Sequence, residues 1–288
     1  MIETFYSKDW QDYELLDTGG GEKLERFGPY TFVRPYQDAV WPKTLEREWD
    51  NTDGRFVTSR EEKGGEKSGK RGWKFFRKIP ERWEMSYKGI KFYAFPTPFR
   101  HLGFFPEQAV HWDFIEKAIK HPGEARPVRF LNLFGYTGVA SLFALRAGAE
   151  VTHVDSSKLS VTWAKENEKL SSLTGMRVII DDCLKFMERE VKRGNKYDAI
   201  IMDPPKFGRG PKGEVWKIEE NLAKLIELAK KLLSAHPLFV VLNSYATDSS
   251  SLSLGYALGD RVKCGELCLP EKSLGRLIPL ANSAILKW

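Results

Sequence analysis

The sequence has little cysteine and no long hydrophobic run. It contains only three cysteines, Cys183, Cys264 and Cys268, among 288 residues. Three is an odd number and too few for a disulfide scaffold, so we expect a reducing, cytoplasmic compartment. Cys264 and Cys268 lie four residues apart with no second pair nearby. This argues against a zinc site, and we expect no metal in the protein.

Membrane and secretory segments are also missing from the sequence pattern. No apolar run approaches about 18 residues, so we expect no membrane-spanning helix. Met1–Thr4 does not combine a basic region with an apolar one, and we expect no secretory signal. With 42% hydrophobic and 29% charged residues, the composition excludes collagen, coiled coil and wholesale disorder.

The positive charge of the chain is concentrated in one stretch. The net charge of +6 is too mild to indicate a partner by itself. Residues 60–100, however, carry twelve basic and five acidic residues, interleaved with nine aromatic ones. This combination is typical of nucleic-acid-binding surfaces, although a solvated face is the simpler alternative. We expect this stretch to help hold RNA.

The length of the chain predicts about two domains, and the sequence pattern changes near residue 100. Residues 1–100 contain short apolar runs separated by turn signals such as Gly19–Gly21 and Gly28–Pro29. We interpret them as a β-rich accessory region for substrate recognition. Within it, the polar, glycine-rich residues 60–72 predict a flexible basic loop.

In residues 101–288, apolar strands alternate with helices. Strands are predicted at Val128–Leu133, Val151–Val154, Arg177–Ile180, Tyr197–Met202 and Leu238–Leu242, with helices at Val139–Ala147, Ser157–Leu170, Leu184–Arg193 and Val215–Leu233. This alternation indicates a parallel sheet covered on both faces. Two late strands, Val262–Leu269 and Ala284–Trp288, would close the sheet antiparallel. The predicted fold class is therefore α/β, a Rossmann-like, doubly wound and mostly parallel sheet of seven strands.

Four polar or glycine-containing segments follow predicted strands, at the edge where doubly wound sheets bind ligands. The loop Phe134–Gly138 follows the first strand, and its glycines would let a ligand approach the backbone. Asp155 ends the second strand and would accept hydrogen bonds from ribose hydroxyls. Asp181–Cys183 follows the third strand, and Asp203–Lys206 follows the fourth.

The glycine loop distinguishes between two ligands of such folds. A nicotinamide dinucleotide requires the pattern G-x-G-x-x-G, with its pyrophosphate close to the backbone. Here the loop reads Gly135-Tyr136-Thr137-Gly138, so the middle glycine is missing and a bulky tyrosine stands in the way. S-adenosylmethionine (SAM) carries no phosphate, and the loop therefore favours SAM.

The motifs in this order resemble those of the class I SAM-dependent methyltransferases. They are Asn-Leu-Phe-Gly-Tyr-Thr-Gly (132–138), Val-Asp-Ser-Ser-Lys (154–158), Asp-Asp-Cys (181–183) and Met-Asp-Pro-Pro-Lys-Phe (202–207). The resemblance is to the branch that contains the large-ribosomal-subunit cytosine-5 methyltransferases. His101–Gln108 is also similar to a glycine-aromatic-aromatic segment of that branch. The similarity covers about residues 85–245 and the last strand.

The resemblance implies a set of cofactor-binding residues. The set is Gln108, Asn132, Phe134, Gly135, Tyr136, Thr137, Gly138, Asp155, Ser156, Asp182, Cys183 and Asp203. Within it, Phe134, Gly135 and Thr137 would line the methionine end of SAM. Asp155 would hold the ribose, Asp182 the adenine amino group, and Gln108 would cover the cofactor. For Asp155 and Asp182, helix N-capping is the alternative role. Cys183 is interpreted as a small buried residue.

The predicted catalytic residues are Asp203, Pro204, Pro205 and Lys206. By resemblance, Asp203 would lie beside the donor methyl group. The prolines would stiffen the turn and remove N–H groups from it. Lys206 would contact a phosphate or polarise a base carbonyl, unless it is a solvated loop lysine.

The acceptor atom is constrained by the missing cysteine. Cytosine-5 transfer requires a thiolate that adds to the base, and in the resembled branch a cysteine is expected just after strand five. The corresponding stretch Leu242–Thr247 contains none. We therefore predict that no cysteine acts as a nucleophile and that the acceptor is a nitrogen or oxygen atom.

The sequence thus predicts a SAM-dependent methyltransferase that acts on an RNA base, with ribosomal RNA as the substrate and SAM as the cofactor. Two alternatives remain open at this point. One is a methyltransferase for a protein or a small molecule, and the other is a non-enzymatic module that binds SAM or a nucleotide.

Overall fold

The computed structural model describes residues 3–58, 72–120, 126–245 and 250–288. The chain divides into two compact units. The larger unit comprises Met1–Tyr6, Glu107–Cys268 and Pro279–Trp288, and the smaller one Ser7–Pro106 and Leu269–Ile278. The smaller unit therefore includes a late segment that a division at residue 100 does not contain. The predicted loop 60–72 falls outside the described residues, except for Gly72.

The described residues form seventeen strands and seven α-helices. The strands are β1 (Glu3–Phe5), β2 (Tyr13–Gly19), β3 (Glu22–Phe27), β4 (Tyr30–Pro35), β5 (Gly54–Val57), β6 (Gly72–Phe75), β7 (Trp83–Tyr87), β8 (Ile90–Ala94), β9 (Arg129–Leu133), β10 (Glu150–Asp155), β11 (Arg177–Ile180), β12 (Ala199–Met202), β13 (Phe207–Arg209), β14 (Val215–Lys217), β15 (Phe239–Ser244), β16 (Lys263–Pro270) and β17 (Leu277–Lys287). The helices are α1 (Glu46–Asp50), α2 (Ala109–Lys120), α3 (Val139–Arg146), α4 (Lys158–Leu170), α5 (Cys183–Lys192), α6 (Ile218–Leu232) and α7 (Ser251–Leu258), with a 3₁₀ turn at Pro106–Gln108.

The larger unit is built on one mostly parallel sheet, which confirms the predicted fold class. Its strand order is β1-β16-β17-β15-β12-β9-β10-β11. The five strands from β15 to β11 run parallel, and β17 pairs antiparallel with β15. The sheet has eight strands rather than the predicted seven, because Glu3–Phe5 pairs in parallel with Gly265–Leu267 at one edge.

Both faces of this sheet are buried, as the apolar strands predict. Along β9, Leu131 and Leu133 belong to a core cluster with residues of α5 and α6. Phe130 points to the opposite face of the sheet and belongs to a second cluster with residues of α2, α3 and α4. Side chains of a strand alternate between its faces, so one strand supplies both cores.

Two predicted elements have other bounds in the structure, and two helices were not predicted. The helix predicted at Val215–Leu233 begins only at Ile218, because Val215–Lys217 pairs with Phe207–Arg209 as a hairpin. The last strand starts at Leu277 rather than at Ala284. Pro279 lies inside it, and a proline in an apolar run argues against a strand. Helices α2 and α7 lie where no element is predicted.

The smaller unit is β-rich, as predicted. Its main sheet has the order β2-β3-β4-β5-β6, and β7 and β8 form a separate antiparallel pair. The predicted turn at Gly19–Gly21 joins β2 to β3 in a hairpin. Gly20 and Gly21 have φ values of 59° and 80°, which favour glycine. Across the whole described chain, no helix is long and apolar enough to cross a membrane.

Candidate active site

Several predicted site residues lie at neighbouring strand ends of the large sheet. Strands β12, β9 and β10 are adjacent and parallel, so their carboxyl ends share one edge. The loop Phe134–Gly138 follows β9, Asp155 ends β10, and Asp203 follows β12. This edge is where doubly wound sheets bind ligands.

The loop after β9 has a constrained backbone. Phe134 and Tyr136 adopt positive φ values of 57° and 49°, a conformation that costs residues other than glycine about 1–3 kcal/mol. The Tyr136 N–H donates to Asp155 Oδ2 at 2.9 Å, and the Phe134 N–H donates to Cys183 Sγ at 3.4 Å. Residues from the next two strand ends therefore hold this loop in place.

The two glycines of the loop serve internal packing. A Cβ on Gly135 would lie 2.4 Å from Cε1 of His153. Gly138 has a φ of 82°, and a Cβ there would lie 2.9 Å from the Cβ of Ala164. Sequence reasoning attributed these glycines to close approach of a ligand. The structure adds a second reason for glycine, because side chains of β10 and α4 fill the space that a Cβ would occupy.

A buried polar chain supports the loop from inside the unit. Asn132 donates to Ser141 Oγ at 2.9 Å, and Ser141 Oγ lies 3.1 Å from His153 Nδ1. All three residues are buried, and burial lowers the pKa of His153 to about 4, so its ring is neutral at pH 7. Asn132, a predicted cofactor residue, thus has an internal partner.

We expect Gly135→Ala to destabilise the protein by about 1–3 kcal/mol, because the added methyl group would overpack against the His153 ring. Urea unfolding measures this cost. In a His153→Ala background the ring is gone, and the same glycine change should cost much less. An equal cost in both backgrounds would contradict this packing role.

Asp155 and Asp182 turn out to have different local roles. Asp155 Oδ1 accepts the N–H of Ser157 at 2.8 Å, but the cap of α4 is Ser157 itself. Asp182 is the N-cap of α5, and its Oδ1 accepts the N–H of Lys185 at 3.0 Å. Burial raises the pKa of Asp155, and its two amide hydrogen bonds oppose that rise. Ser156 is half-buried beside it.

None of the three cysteines is an accessible thiolate. Cys183, Cys264 and Cys268 are all buried. Burial, helped by the carboxylates of Asp155 and Asp182, raises the pKa of Cys183 well above its usual range. Burial also raises the pKa of Cys268 to about 11. A thiol with a raised pKa stays protonated and is a weak nucleophile.

Asp203 lies in a water-poor cluster with Gln108 and Tyr245. Gln108 Nε2 lies 3.4 Å from Asp203 Oδ2 and donates to the Tyr245 hydroxyl at 3.0 Å. Asp203 Oδ1 is sealed from solvent and has no hydrogen-bond partner among the described residues. Burial and, second, the Glu107 carboxylate raise the pKa of Asp203 to about 7. A buried acceptor atom with no partner is what a ligand N–H would satisfy.

The orientation of Gln108 is set by a second buried chain. Asn243 Nδ2 donates to Gln108 Oε1 at 3.0 Å, so the Gln108 amide presents its NH₂ group to Asp203 and Tyr245. His111 Nε2 lies 3.0 Å from Asn243 Oδ1 and 2.9 Å from Ser283 Oγ. Sequence reasoning found Gln108 but missed these partners and Glu107. Asn243 could have been found from its place in the strand that follows α6, near the same sheet edge.

The Asp-Pro-Pro turn is braced by the hairpin that follows it. The Trp216 indole N–H donates to the carbonyl of Pro205 at 2.6 Å, and the Ile218 N–H donates to that of Lys206 at 3.1 Å. Pro204 is buried, whereas Pro205 and Lys206 are exposed. Phe207 is 55% exposed, so it is a surface residue and not a core one. Thr137 is buried, and its carbonyl accepts a hydrogen bond from Asn167.

The described residues contain no group of three or more His, Cys, Asp or Glu placed to hold a metal ion.

Comparisons with known proteins agree with this fold. A family described as conserved hypothetical protein 95 matches residues 113–245. A SAM-dependent methyltransferase of Agrobacterium tumefaciens, known from a crystal structure, is 38% identical, with a TM-score of 0.91. That match covers 100% of this chain and 94% of the other. A Streptococcus mutans protein described as a SAM-dependent methyltransferase shares the fold at 18% identity, with a TM-score of 0.71 over 98% of this chain and 76% of that one.

Curated relatives match only part of their own length. The ribosomal RNA large subunit methyltransferase K/L of Pseudoalteromonas translucida is 37% identical over 114 residues, which are 38% of this chain and 16% of that protein. The methyltransferase K of Neisseria meningitidis is 35% identical over 111 residues, which are 37% of this chain and 31% of that protein. The chain thus corresponds to less than a third of the length of either relative.

The sheet order and the strand-end acids define a class I, Rossmann-like ligand-binding fold. With 38% identity over nearly the full length of a solved relative, the protein belongs to the SAM-dependent methyltransferases. Its cofactor is accordingly SAM.

The residues of the site fit this cofactor. Each carboxylate oxygen of Asp155 accepts one backbone N–H and keeps a second lone pair for a ribose hydroxyl. The Glu107 carboxylate adds negative potential at Asp203, where it is the second cause, after burial, of the raised pKa. A cationic sulfonium is favoured in such a field, whereas the pyrophosphate of a dinucleotide is not.

Proposed function

We propose that the protein transfers a methyl group from SAM to a nitrogen atom of an RNA base, with ribosomal RNA as the substrate. The observation that carries this proposal is the Asp203 carboxylate, which has a sealed, unpartnered Oδ1 and a pKa of about 7 beside a rigid proline turn. The names of the curated relatives support ribosomal RNA, since their matches fall on part of this chain. Such a substrate would place the protein in the cytoplasm.

Asp203 has the properties needed to receive a proton from the acceptor. SAM, when bound, supplies an electrophilic methyl group on a sulfonium. The Asp203 carboxylate would accept a hydrogen bond from the N–H of the base. It would take that proton as the nitrogen–carbon bond forms and the bond from the methyl carbon to the sulfur breaks, with S-adenosylhomocysteine as the leaving group. A carboxyl with a pKa near 7 is well matched to this role at neutral pH. The pKa of Tyr245 is raised by burial, so its hydroxyl stays protonated.

The remaining residues would position the reactants, which is the main requirement of a direct displacement. Asp155 would orient the ribose through its free lone pairs. Asp182 would contact the adenine amino group through the carboxylate oxygen that does not cap α5. The exposed Phe207 would stack on the target base, and the exposed Lys206 would approach a phosphate.

The proposal is tested by the distribution of tritium from methyl-labelled SAM among RNA, protein and small metabolites. We expect label in RNA that is lost on ribonuclease treatment. Label in the protein or metabolite fraction alone would replace RNA by one of the other two acceptor classes.

We expect a variant without cysteine, Cys183→Ser with Cys264→Ala and Cys268→Ala, to retain activity within about tenfold of the parent. All three thiols are buried, so we expect none of them to form the adduct that cytosine-5 transfer needs. Turnover with RNA measures this, with SAM affinity as the control for folding. Trapping of the parent enzyme by RNA that contains 5-fluorocytosine would restore the cytosine-5 mechanism.

A further inference from the structure

The smaller unit exposes large aromatic side chains around β6. Phe75, Phe76 and Phe99 are 44%, 51% and 62% exposed. Other aromatic side chains of this unit, such as Phe32 and Phe56, are buried in its core. Several exposed aromatic rings in one region of a surface indicate a binding site.

Hydrogen bonds and ring contacts join Trp73, Phe75 and the Phe99 loop, and Lys74 and Phe76 are their neighbours in the chain. The rings of Trp73 and Phe75 stack with centroids 6.0 Å apart and an angle of 6° between their planes. The Trp73 indole N–H donates to the carbonyls of Thr97 at 2.9 Å and Phe99 at 3.0 Å, which brings the Phe99 loop beside β6. We call Trp73, Phe75, Phe76 and Phe99, with Lys74 and Arg100, the β6 surface.

The charge around these rings is positive. Residues 72–106 contain seven basic and two acidic residues. The Lys74 ammonium lies 5.6 Å from the centre of the Phe76 ring, and Arg100 is exposed next to Phe99. Basic groups beside aromatic faces can hold the phosphates of a strand whose bases stack on the rings.

Buried cations add to this positive charge. Arg34 and Lys23 share one carboxylate, that of Glu25, at 2.6 Å and 3.3 Å. Arg34 also donates to the carbonyl of Arg100 at 3.1 Å. Burial, followed by the nearby charges of Arg34, Arg100 and Lys23, lowers the pKa of His101 to about 3. The potential at the Phe99–His101 loop is therefore suited to an anion.

We infer that the β6 surface binds an unpaired, single-stranded segment of the RNA substrate, with bases stacked on Phe75 and Phe99 and phosphates held by Lys74 and Arg100. This inference rests on the proposed function, because it assigns the substrate to this surface. Single strands fit better than duplexes, since only unpaired bases expose their faces to side chains. An acidic peptide would have the charge but would not supply successive flat rings.

The test measures binding of a fluorescent 12-nucleotide single-stranded RNA, and of the same strand in a duplex, by anisotropy at several salt concentrations. The variants are Phe75→Ala, Phe99→Ala and the pair Lys74→Gln with Arg100→Gln. Val40→Ala is the matched control, because Val40 is 86% exposed in the same unit. Thermal unfolding of each variant, followed by tryptophan fluorescence, verifies that the smaller unit is still folded.

The parent is expected to bind the single strand more tightly than the duplex. Each Phe→Ala change should weaken binding by roughly tenfold, as expected when one base no longer stacks. The Lys74→Gln/Arg100→Gln pair should reduce the slope of log affinity against log salt by about 0.7 for each phosphate that the variant no longer neutralises. Phe75→Leu should recover only part of the affinity, since leucine keeps the apolar contact but not the aromatic face.

Unchanged RNA affinity in the Phe→Ala variants, or equal binding of single strand and duplex, would overturn the inference. So would binding of phosphatidylserine vesicles that is abolished in the same variants, which would make this a membrane surface. If the parent transfers labelled methyl to RNA while the variants bind RNA as tightly as the parent, only the assignment of RNA to the β6 surface fails. If the parent neither labels nor binds RNA, the proposed function fails as well.

Discussion

Replacing Asp203 by asparagine is expected to lower methyl transfer by about 100-fold or more, because the amide cannot take a proton from the acceptor nitrogen. SAM affinity should change far less, since Asp155 and not Asp203 is assigned to the ribose. Single-turnover rates with RNA and calorimetry with SAM separate the two effects. An Asp203→Asn enzyme that keeps its full rate would remove Asp203 from the proton path.

The same substitution should stabilise the protein above pH 7. The pKa of Asp203 is raised from its ordinary value of 3.8 to about 7 in the folded state. The folded protein therefore holds this proton more tightly than the unfolded chain does. The free energy of unfolding therefore falls as pH rises from about 4 to about 7, by at most about 4 kcal/mol for a pKa shift of this size.

Asparagine resembles the protonated form and avoids this loss. Asp203→Asn should therefore raise the melting temperature at pH 8 and leave it nearly unchanged at pH 4. The rate of methyl transfer by the parent should also rise with pH and level off above about pH 7. Glu107→Gln should shift this rise to lower pH, because the Glu107 carboxylate helps to raise the pKa of Asp203. A melting temperature of Asp203→Asn below that of the parent at pH 8 would contradict the raised pKa of this carboxyl.

The second large effect is expected from Asp155→Ala. This change removes the anchor of the Tyr136 N–H and, on our proposal, the acceptor of two ribose hydroxyls. We expect SAM affinity to fall by roughly 1.5–3 kcal/mol, or about 10- to 150-fold. Calorimetry with SAM and with NAD measures it, and the parent should bind SAM only.

Glu150→Ala is the matched control for Asp155→Ala, because Glu150 is an exposed acid at the other end of the same strand. Its SAM affinity should equal that of the parent. A parent that binds NAD but not SAM, or an Asp155→Ala variant with unchanged SAM affinity, would contradict this assignment.

The parallel strands could be predicted because each is a short apolar run between polar or turn-forming residues. Arg177–Ile180, whose last three residues are apolar, agrees at both ends with β11, the edge strand of the sheet. The hairpin β13–β14 could not be predicted, since its reason is the contact of Trp216 with the carbonyl of Pro205. Such a contact exists only once the chain has turned at the prolines.

The candidate site was predictable where function follows from position at a strand end. Asp155 and Asp203 could be predicted in this way, because parallel strands place their ends together. The hydrogen-bonded chain from Ser283 through His111 and Asn243 to Gln108 could not be predicted. Its members are far apart in the sequence and each alone resembles an ordinary core residue. The packing of Gly135 against His153 was missed for the same reason, since His153 lies on another strand.

The identity of the methylated nucleoside tests the central claim most directly. RNA is incubated with the enzyme and SAM carrying a deuterated methyl group, digested to nucleosides and analysed by mass spectrometry, with Asp203→Asn as the control. The account predicts a nucleoside whose base carries the labelled methyl on nitrogen, and at most a trace with Asp203→Asn. Labelled 5-methylcytidine, or RNA without label beside labelled protein, would contradict it.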